Sequence, residues 1–347
     1  MIATTPQATY ALGFSLRKRA LVRQFLGQGI IRFVNSDRRI PDGSVVAVWA
    51  SGPYGIQWAP VESHARFSRV FLEDGFLRSV GLGADLVKPL SWVVDERGIY
   101  YDASRASDLE FMLQENRFDT GLLQRAADLR GQLVASKLTK YNVGAQPWQR
   151  PLQASGQELV MVVGQVETDA AIRLGAPGIK TNLALLKAAR SAHPHAWLIY
   201  KPHPDVVAGL RKSGENEAEA SNWCNEVITD APMGDMLAAV DAVHVLSSLA
   251  GFEALLRNKT VFCHGLPFYA GWGLTIDALA LPRRSRRLSL DELVAGALLE
   301  YPRYVSRATG AACTAEQALQ ELIEWKAGAS NRVPFWRKML RYFIRQP

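Results

Sequence analysis

The chain has 347 residues, with 40 Lys+Arg against 33 Asp+Glu and a formal charge of +7. A hydrophobic fraction of 48% with 21% charged residues excludes a disordered chain, which lacks the apolar surface to offset chain entropy. The length predicts two domains. Three widely spaced cysteines (Cys224, Cys263, Cys313), with no CxxC, exclude a disulfide scaffold and point to a reducing compartment.

In chain order, Tyr10–Phe14, Gly29–Val34, Val45–Ala50 and Val70–Leu72 read as buried strands, with a helix over Leu16–Leu26. Leu90–Asp95 and Ile99–Tyr101 flank a tight turn. Ser107–Leu113 and Gly121–Leu138 are helical by period. The stretch 142–156, broken by Pro147 and Pro151, is the expected linker. We therefore expect domains at 1–150 and 151–330, followed by a tail at 331–347. Beyond the linker, strands at Leu159–Gly164, Trp197–Lys201, Glu226–Ile228, Ala242–Val245 and Thr260–Cys263 alternate with helices at Ile179–Ala192, Pro204–Lys212, Pro232–Ala239 and Ala250–Arg257. Such alternation predicts a parallel sheet covered on both faces, with ligands beyond the strands' carboxyl ends. Leu290–Glu300 and Thr314–Gly328 read as further helices.

Three candidate segments follow strands of the second half. In VGQVETD (163–169) a strand ends at Gly164 and offers Gln165, Glu167 and Asp169. In YKPHPD (200–205) two prolines hold His203 beside Lys201, a rigid setting for binding or protonating a phosphate. In VLSSLAGFE (245–253), Ser247 and Ser248 precede a helix, a setting for an anion, and Glu253 is placed to accept from sugar hydroxyls. The loop 264–275 carries Tyr269 and Trp272, which could stack on a base or sugar. In the first half, LEDGFLR (72–78) ends a strand with Glu73 and Asp74, candidates for acid/base work, and adds Arg78, whose guanidinium suits a carboxylate. The histidines form no convincing metal set. The absence of GxxxxGK[ST] and of GxSxG excludes a P-loop ATPase and ranks a serine hydrolase low.

The segments LEDGFLRSVGLG (72–83), GIYYDASRASDLE (98–110), KLTKYNVG (137–144), VGQVETDAAI (163–172), YKPHPDVVAGLR (200–211) and SLAGFEALLRNKTVFCHGLPFYAGWGLT (248–275) resemble the capsule polysaccharide β-Kdo transferases of the KpsC type. KYNVG and KPHPDVVAGLR are closer to the second of that family's two modules. The resemblance implies an α/β, GT-B-like architecture of two Rossmann-like domains facing a cleft, with the acceptor on the first and CMP-Kdo on the second. It further implies a retaining transfer to a Kdo-bearing glycolipid, with Asp169 as nucleophile and His203 at the donor. Thr168 and Ala171 stand where the family often has an acid and a serine. The expected donor set is Gln165, Lys201, His203, Ser247, Ser248 and Glu253; Glu73 or Asp74 would serve as acid/base, and Arg78, Tyr269 and Trp272 would meet the acceptor. No cofactor or metal is expected. Competing readings are another nucleotide-sugar enzyme, such as an epimerase or hydrolase, and a non-catalytic glycolipid-binding module.

The basic excess is local. Residues 332–347 hold Arg332, Arg337, Lys338, Arg341 and Arg345 and no acid, leaving +2 for residues 1–331. With its aromatic residues this tail reads as a tether to an anionic membrane surface rather than to nucleic acid. Arg17–Arg19 and Arg283–Arg287 would add to that surface. The opening residues do not read as a signal peptide, and no window spans a bilayer, so we expect a cytoplasmic protein, peripheral on the inner membrane.

Overall fold

The computed structural model describes residues 8–27, 29–57, 66–81 and 87–328; the basic tail 332–347 lies outside the described residues. The first lobe opens with β1 (Thr9–Leu12), α1 (Leu16–Leu26), β2 (Ile31–Val34), β3 (Val45–Trp49), α2 (Pro53–Gln57), β4 (Ser68–Asp74), β5 (Ser91–Asp95), α3 (Asp108–Glu115) and α4 (Thr120–Ala135). Strands β2, β1, β3 and β4 run parallel in that spatial order, and β5 turns back antiparallel to β4 with Leu72 opposite Val94. The tight turn expected between Leu90–Asp95 and Ile99–Tyr101 is present, and 99–101 forms no strand. The Asp95 carboxylate accepts from the N–H groups of Arg97 and Gly98 and closes the chain into a turn.

The second lobe contains β6 (Leu159–Val163), α5 (Ala170–Gly175), α6 (Asn182–Ala192), β7 (Trp197–Lys201), α7 (Pro204–Val207), β8 (Glu226–Val227), α8 (Met233–Ala239), β9 (Ala242–Val245), α9 (Leu249–Leu255), β10 (Thr260–Cys263) and β11 (Ile276–Asp277). Its six strands form a sheet in the order β11-β10-β9-β6-β7-β8, parallel throughout. Strand β6 is buried along its length, as a strand covered on both faces must be.

The chain then returns. Helix α10 (Leu290–Val294) runs into a π-helical turn at Ala295–Glu300, followed by β12 (Pro302–Val305), β13 (Ala312–Cys313) and α11 (Ala315–Gly328). Strand β12 pairs antiparallel with β5, placing Tyr304 opposite Ser91, and β13 extends the first sheet to seven strands. Both α10 and α11 pack on α4. Residues 290–328 therefore belong to the first lobe, which corrects the boundary that put all of 151–330 in one domain. The physical reason is the apolar face of α4. Ala126, Leu129 and Leu133 share one buried core with Leu293, Val294, Leu298 and Leu319.

The same core runs between the lobes, joining Phe76 and Leu77 to Phe252 and Phe268. The linker fits closely against the second lobe. Gly144 has φ +110°, and a Cβ there would stand 2.6 Å from the backbone nitrogen of Pro232.

The cluster Arg283–Arg287 is not a free basic patch. Arg284 is 6% exposed and pairs with Glu110 of α3 at 2.8 Å. Arg283 pairs with the same carboxylate, and Arg286 with Glu292. These guanidiniums fasten the crossing between lobes. At α1, Lys18 lies 3.3 Å above the Trp49 ring and Arg19 lies over Phe33. Among the described residues no helix is long and apolar enough to cross a membrane.

Candidate functional site

On the first lobe, β4 delivers Glu73 and Asp74 at its carboxyl end. Glu73 is buried; its carboxylate accepts from the N–H of Ser51 (3.2 Å) and of Asp74 (3.1 Å) and from the Tyr101 hydroxyl (3.3 Å). Burial, then the neighbouring Asp74 charge, push its pKa up; the hydrogen bonds and Lys140 only partly oppose them. Asp74 is taken by Arg78, whose Nε donates at 2.7 Å, and Arg78 also donates to Ser79 Oγ at 2.8 Å. Arg78, expected free for an acceptor carboxylate, is thus buried and spent on Asp74.

On the second lobe, the loop after β6 is pinned from both sides. Gln165 and Asn182 exchange two hydrogen bonds of 2.9 Å, and Gln165 Oε1 accepts from the Ser247 N–H at 2.8 Å. Glu167 accepts from the N–H groups of Asn182 and Glu215, so this acid fixes loops. Asp169 differs. It stands at the start of α5 without capping it, is 42% exposed at its side chain, and meets the guanidinium of Arg211. The cation in contact with it is Arg211, four residues past the short helix α7. Arg211 lies within the KPHPDVVAGLR segment, but only the fold shows which acid it faces.

His203 caps α7, its Nδ1 accepting from the Asp205 N–H at 3.1 Å. That bond leaves the proton of a neutral ring on Nε2. Burial lowers the His203 pKa, opposed by Asp205 and Asp169, so the ring is neutral near pH 7 and Nε2–H is a donor. Lys201 is 7% exposed at the end of β7, and burial brings its pKa down to about 8 against the pull of Asp230. Ser247 Oγ donates to the Ala171 carbonyl, and Ser248 Oγ accepts from the Ala250 N–H. Glu253 is buried and accepts from the Lys140 N–H at 2.7 Å; burial raises its pKa to about 7. It faces the junction between lobes rather than an open sugar site.

Tyr269 and Trp272 need a correction. Both are 0% exposed. The Tyr269 hydroxyl donates to the Ser248 carbonyl and Trp272 Nε1 donates to the Phe268 carbonyl. Their rings fill the corner after β10 and offer no face to a ligand. The fold thus brings Asp169, Arg211 and His203 together, and Gln165 with Ser247. It holds Glu73, Asp74 and Arg78 as a second group on the facing lobe. Lys140 lies near both, since its charge acts on Glu73 and on His203. It lies in KLTKYNVG (137–144), where no local pattern sets it apart. Among the described residues no cluster of His, Cys, Asp or Glu has the arrangement of a metal site.

Two α/β lobes, one with a wholly parallel sheet, joined by a linker and by a returning C-terminal segment, define a GT-B-like fold. The family model for "Capsule polysaccharide biosynthesis protein" matches residues 46–127 and 121–308, and the chain belongs to that family. It is 43% identical over 329 residues to the capsule polysaccharide modification protein LipA of Neisseria meningitidis serogroup B, covering 93% of this chain and 46% of LipA. The chain therefore spans about half the length of that relative. It is 44% identical over 264 residues to the lipopolysaccharide-processing protein LpsZ of Rhizobium meliloti, covering 76% of this chain and 60% of LpsZ. Among solved structures it is similar to two from Thermosulfurimonas dismutans KpsC. The β-Kdo 2,4 transferase gives a TM-score of 0.80 at 33% identity, covering 92% of this chain and 99% of that one. The β-Kdo 2,7 transferase gives 0.77 at 38% identity, covering 92% and 100%.

Proposed function

We propose that this chain is a glycosyltransferase of capsule synthesis that moves Kdo from CMP-Kdo to a Kdo-bearing, lipid-linked acceptor, with retention. The observation that carries the reading is the open carboxylate of Asp169 at the start of α5, beside Arg211 and His203, facing a lobe that holds a buried acid with raised pKa. The likeness to two β-Kdo transferases over nearly the whole chain supports the substrate class.

In this proposal the Asp169 carboxylate attacks the anomeric carbon of the donor, the bond to the phosphate oxygen breaks, and CMP leaves. Two displacements at one carbon restore the configuration. His203 Nε2–H and the ammonium of Lys201 meet the charge developing on the phosphate, and Gln165, Ser247 and Ser248 shape the donor loops around it. Glu73 then takes the proton of the acceptor hydroxyl as that oxygen attacks the same carbon and releases Asp169. Glu73 suits this better than Asp74, because Asp74 is occupied by Arg78. We also propose that the tail 332–347 holds the protein on an anionic bilayer; a chain ending at Asn331 should sediment less with anionic vesicles.

The test is to incubate the protein with CMP-Kdo, quench it in acid and map its peptides by mass spectrometry. A Kdo adduct on the peptide containing Asp169 is the expected result, with transfer that requires the acceptor. Full transfer by Asp169→Ala would overturn the nucleophile, and acceptor-independent turnover would favour a hydrolase.

A further inference from the structure

The segment Leu138–Asn142, which leads from α4 toward the second lobe, is held from both sides. From the second lobe, Arg257 Nη2 donates to the Leu138 carbonyl at 2.9 Å, and Glu253 accepts from the Lys140 N–H at 2.7 Å. From the first, Ser79 N–H donates to the Lys140 carbonyl (3.3 Å), Gly81 N–H to the Tyr141 carbonyl (2.7 Å), and Asn142 Nδ2 to the Ser79 carbonyl (3.1 Å). The backbone of Lys140 is therefore fixed at the place where the lobes meet. Glu253 spends a buried carboxylate on one N–H of that segment.

The Lys140 side chain is half-buried. Burial works against its charge, yet its pKa lies above the ordinary lysine value, so the ammonium is charged near pH 7 with the carboxyl groups of Asp74 and Glu73 nearby. It also acts on His203 of the other lobe. The nearby acids have other partners: Glu73 is held by Ser51, Asp74 N–H and Tyr101, and Asp74 by Arg78. The Lys140 ammonium contacts the Tyr141 ring at 5.6 Å and, among the described residues, makes no hydrogen bond or ion pair. A fixed, half-desolvated cation between the candidate acid/base and the candidate donor residues, with no contacting counterion among the described residues, is arranged to receive an anion from outside. Lys201, a buried amine, faces Asp230 on the second lobe's own side, and half-buried Lys18 lies over the Trp49 ring.

We propose that Lys140 binds the carboxylate of the sugar acid at the reacting centre, and that Glu253 is the positioning residue that aims it. This rests on the sugar-acid transfer proposed above. The carboxylate is supplied either by the donor Kdo or by the acceptor Kdo; the site chemistry is the same.

The experiment compares the full chain with Lys140→Met and Lys140→Arg, using CMP-Kdo with a Kdo-bearing acceptor and with that acceptor's carboxyl methyl ester. A charge-assisted hydrogen bond predicts a KM rise of roughly tenfold or more in Lys140→Met, largely restored in Lys140→Arg. If the acceptor supplies the carboxylate, its KM rises, and the ester loses for the wild type but costs Lys140→Met nothing further. If the donor supplies it, the KM for CMP-Kdo rises and the ester costs both proteins equally. Either pattern supports the subsite. Unchanged KM values for both substrates, whatever happens to kcat, overturn it. Should Lys140→Met not fold, Lys140→Gln gives the same reading. A wild type that transfers no Kdo at all instead overturns the proposed function, and this subsite with it.

Discussion

Glu73 lies at the carboxyl end of β4 and Asp169 at the start of α5, one on each lobe, and the protein treats them in opposite ways. Glu73 is 8% exposed, accepts three hydrogen bonds and has a raised pKa. Asp169 is 42% exposed at its side chain and touches one mobile-stemmed cation, Arg211. A group that must change protonation during a reaction gains from the first setting. A group that must reach carbon gains from the second, where nothing but one guanidinium has to move. The same contrast separates the other acids. Glu110 and Glu253 are buried at the lobe junction, whereas Asp42 stands in solvent with Arg66.

The largest effects should break this contrast at its two ends. Asp169→Ala should lower kcat for transfer by about a thousandfold or more, since the proposed covalent route would have no substitute nucleophile. Its melting temperature should stay close to the wild type's, because Asp169 supports no cap and no buried partner. Glu73→Gln should lower kcat by about 10²–10⁴-fold, the range for a lost general base. On the proposed mechanism the wild type should show an acid limb in its pH–rate profile, because Glu73 would have to lose its proton to act and burial makes that harder, and Glu73→Gln should flatten it. A thermal shift in Asp169→Ala as large as that in Glu73→Gln would erase the distinction drawn between them.

Next in size is Glu110, which receives both Arg283 and Arg284 across the lobes. Glu110→Ala leaves a guanidinium 6% exposed without its counter-charge. That should cost about 3–5 kcal/mol, read from urea midpoints at constant m-value. A smaller loss would mean that the carbonyls of Pro267 and Ala270, which Arg284 also binds, suffice to hold it.

Much of this architecture was legible in the sequence. α1, β7, β9 and β10 have the bounds that apolar runs and turn residues predicted, because each is a local pattern. The positions of Asp169 and His203 were legible for the same reason: each follows a buried strand. What escaped was non-local. Nothing in Pro302–Val305 says that it pairs with β5, two hundred residues earlier in the chain. Leu290–Glu300 reads as one helix, yet it passes into a π-helical turn where Gly296 lies against Leu113, a Cβ there standing 2.6 Å from that side chain. Tyr269 and Trp272 looked like ligand platforms because glycines surround them, and composition cannot tell a stacking loop from a packed corner. Arg211 and Lys140 were on the page as letters, but their partners come from other elements.

Glu253 sharpens the comparison through pH. Its pKa is about 7 in the fold, raised from an ordinary carboxylate value by burial, with the Lys140 N–H and Arg257 opposing. The folded state therefore holds this proton more tightly than the unfolded chain does. Stability contributed at this site is highest below the unfolded value and falls as pH rises through about 7. Glu253→Gln keeps a carbonyl oxygen for Lys140 but cannot ionise. Between pH 5 and pH 8 the wild type should lose about 1–3 kcal/mol more than this variant. Parallel pH profiles for the two proteins would count against a buried, proton-holding Glu253.

The smallest effect belongs to the acid that resembles Glu110 in partner but not in setting. Asp42 accepts from Arg66 Nε at 2.6 Å, a distance as good as that of the buried pair, but the two side chains are 73% and 50% exposed. Water solvates both charges before and after the pair breaks, so the Coulomb gain is small and side-chain entropy offsets it. Asp42→Ala should therefore cost less than about 1 kcal/mol, and that little should vanish in high salt. Arg66 keeps a stabilising contact of its own, lying 4.9 Å from the Phe67 ring centre, which limits the loss further. If Asp42→Ala instead destabilised the protein as much as Glu110→Ala, burial would not be what separates the acids of this fold, and the contrast between Glu73 and Asp169 would need another cause.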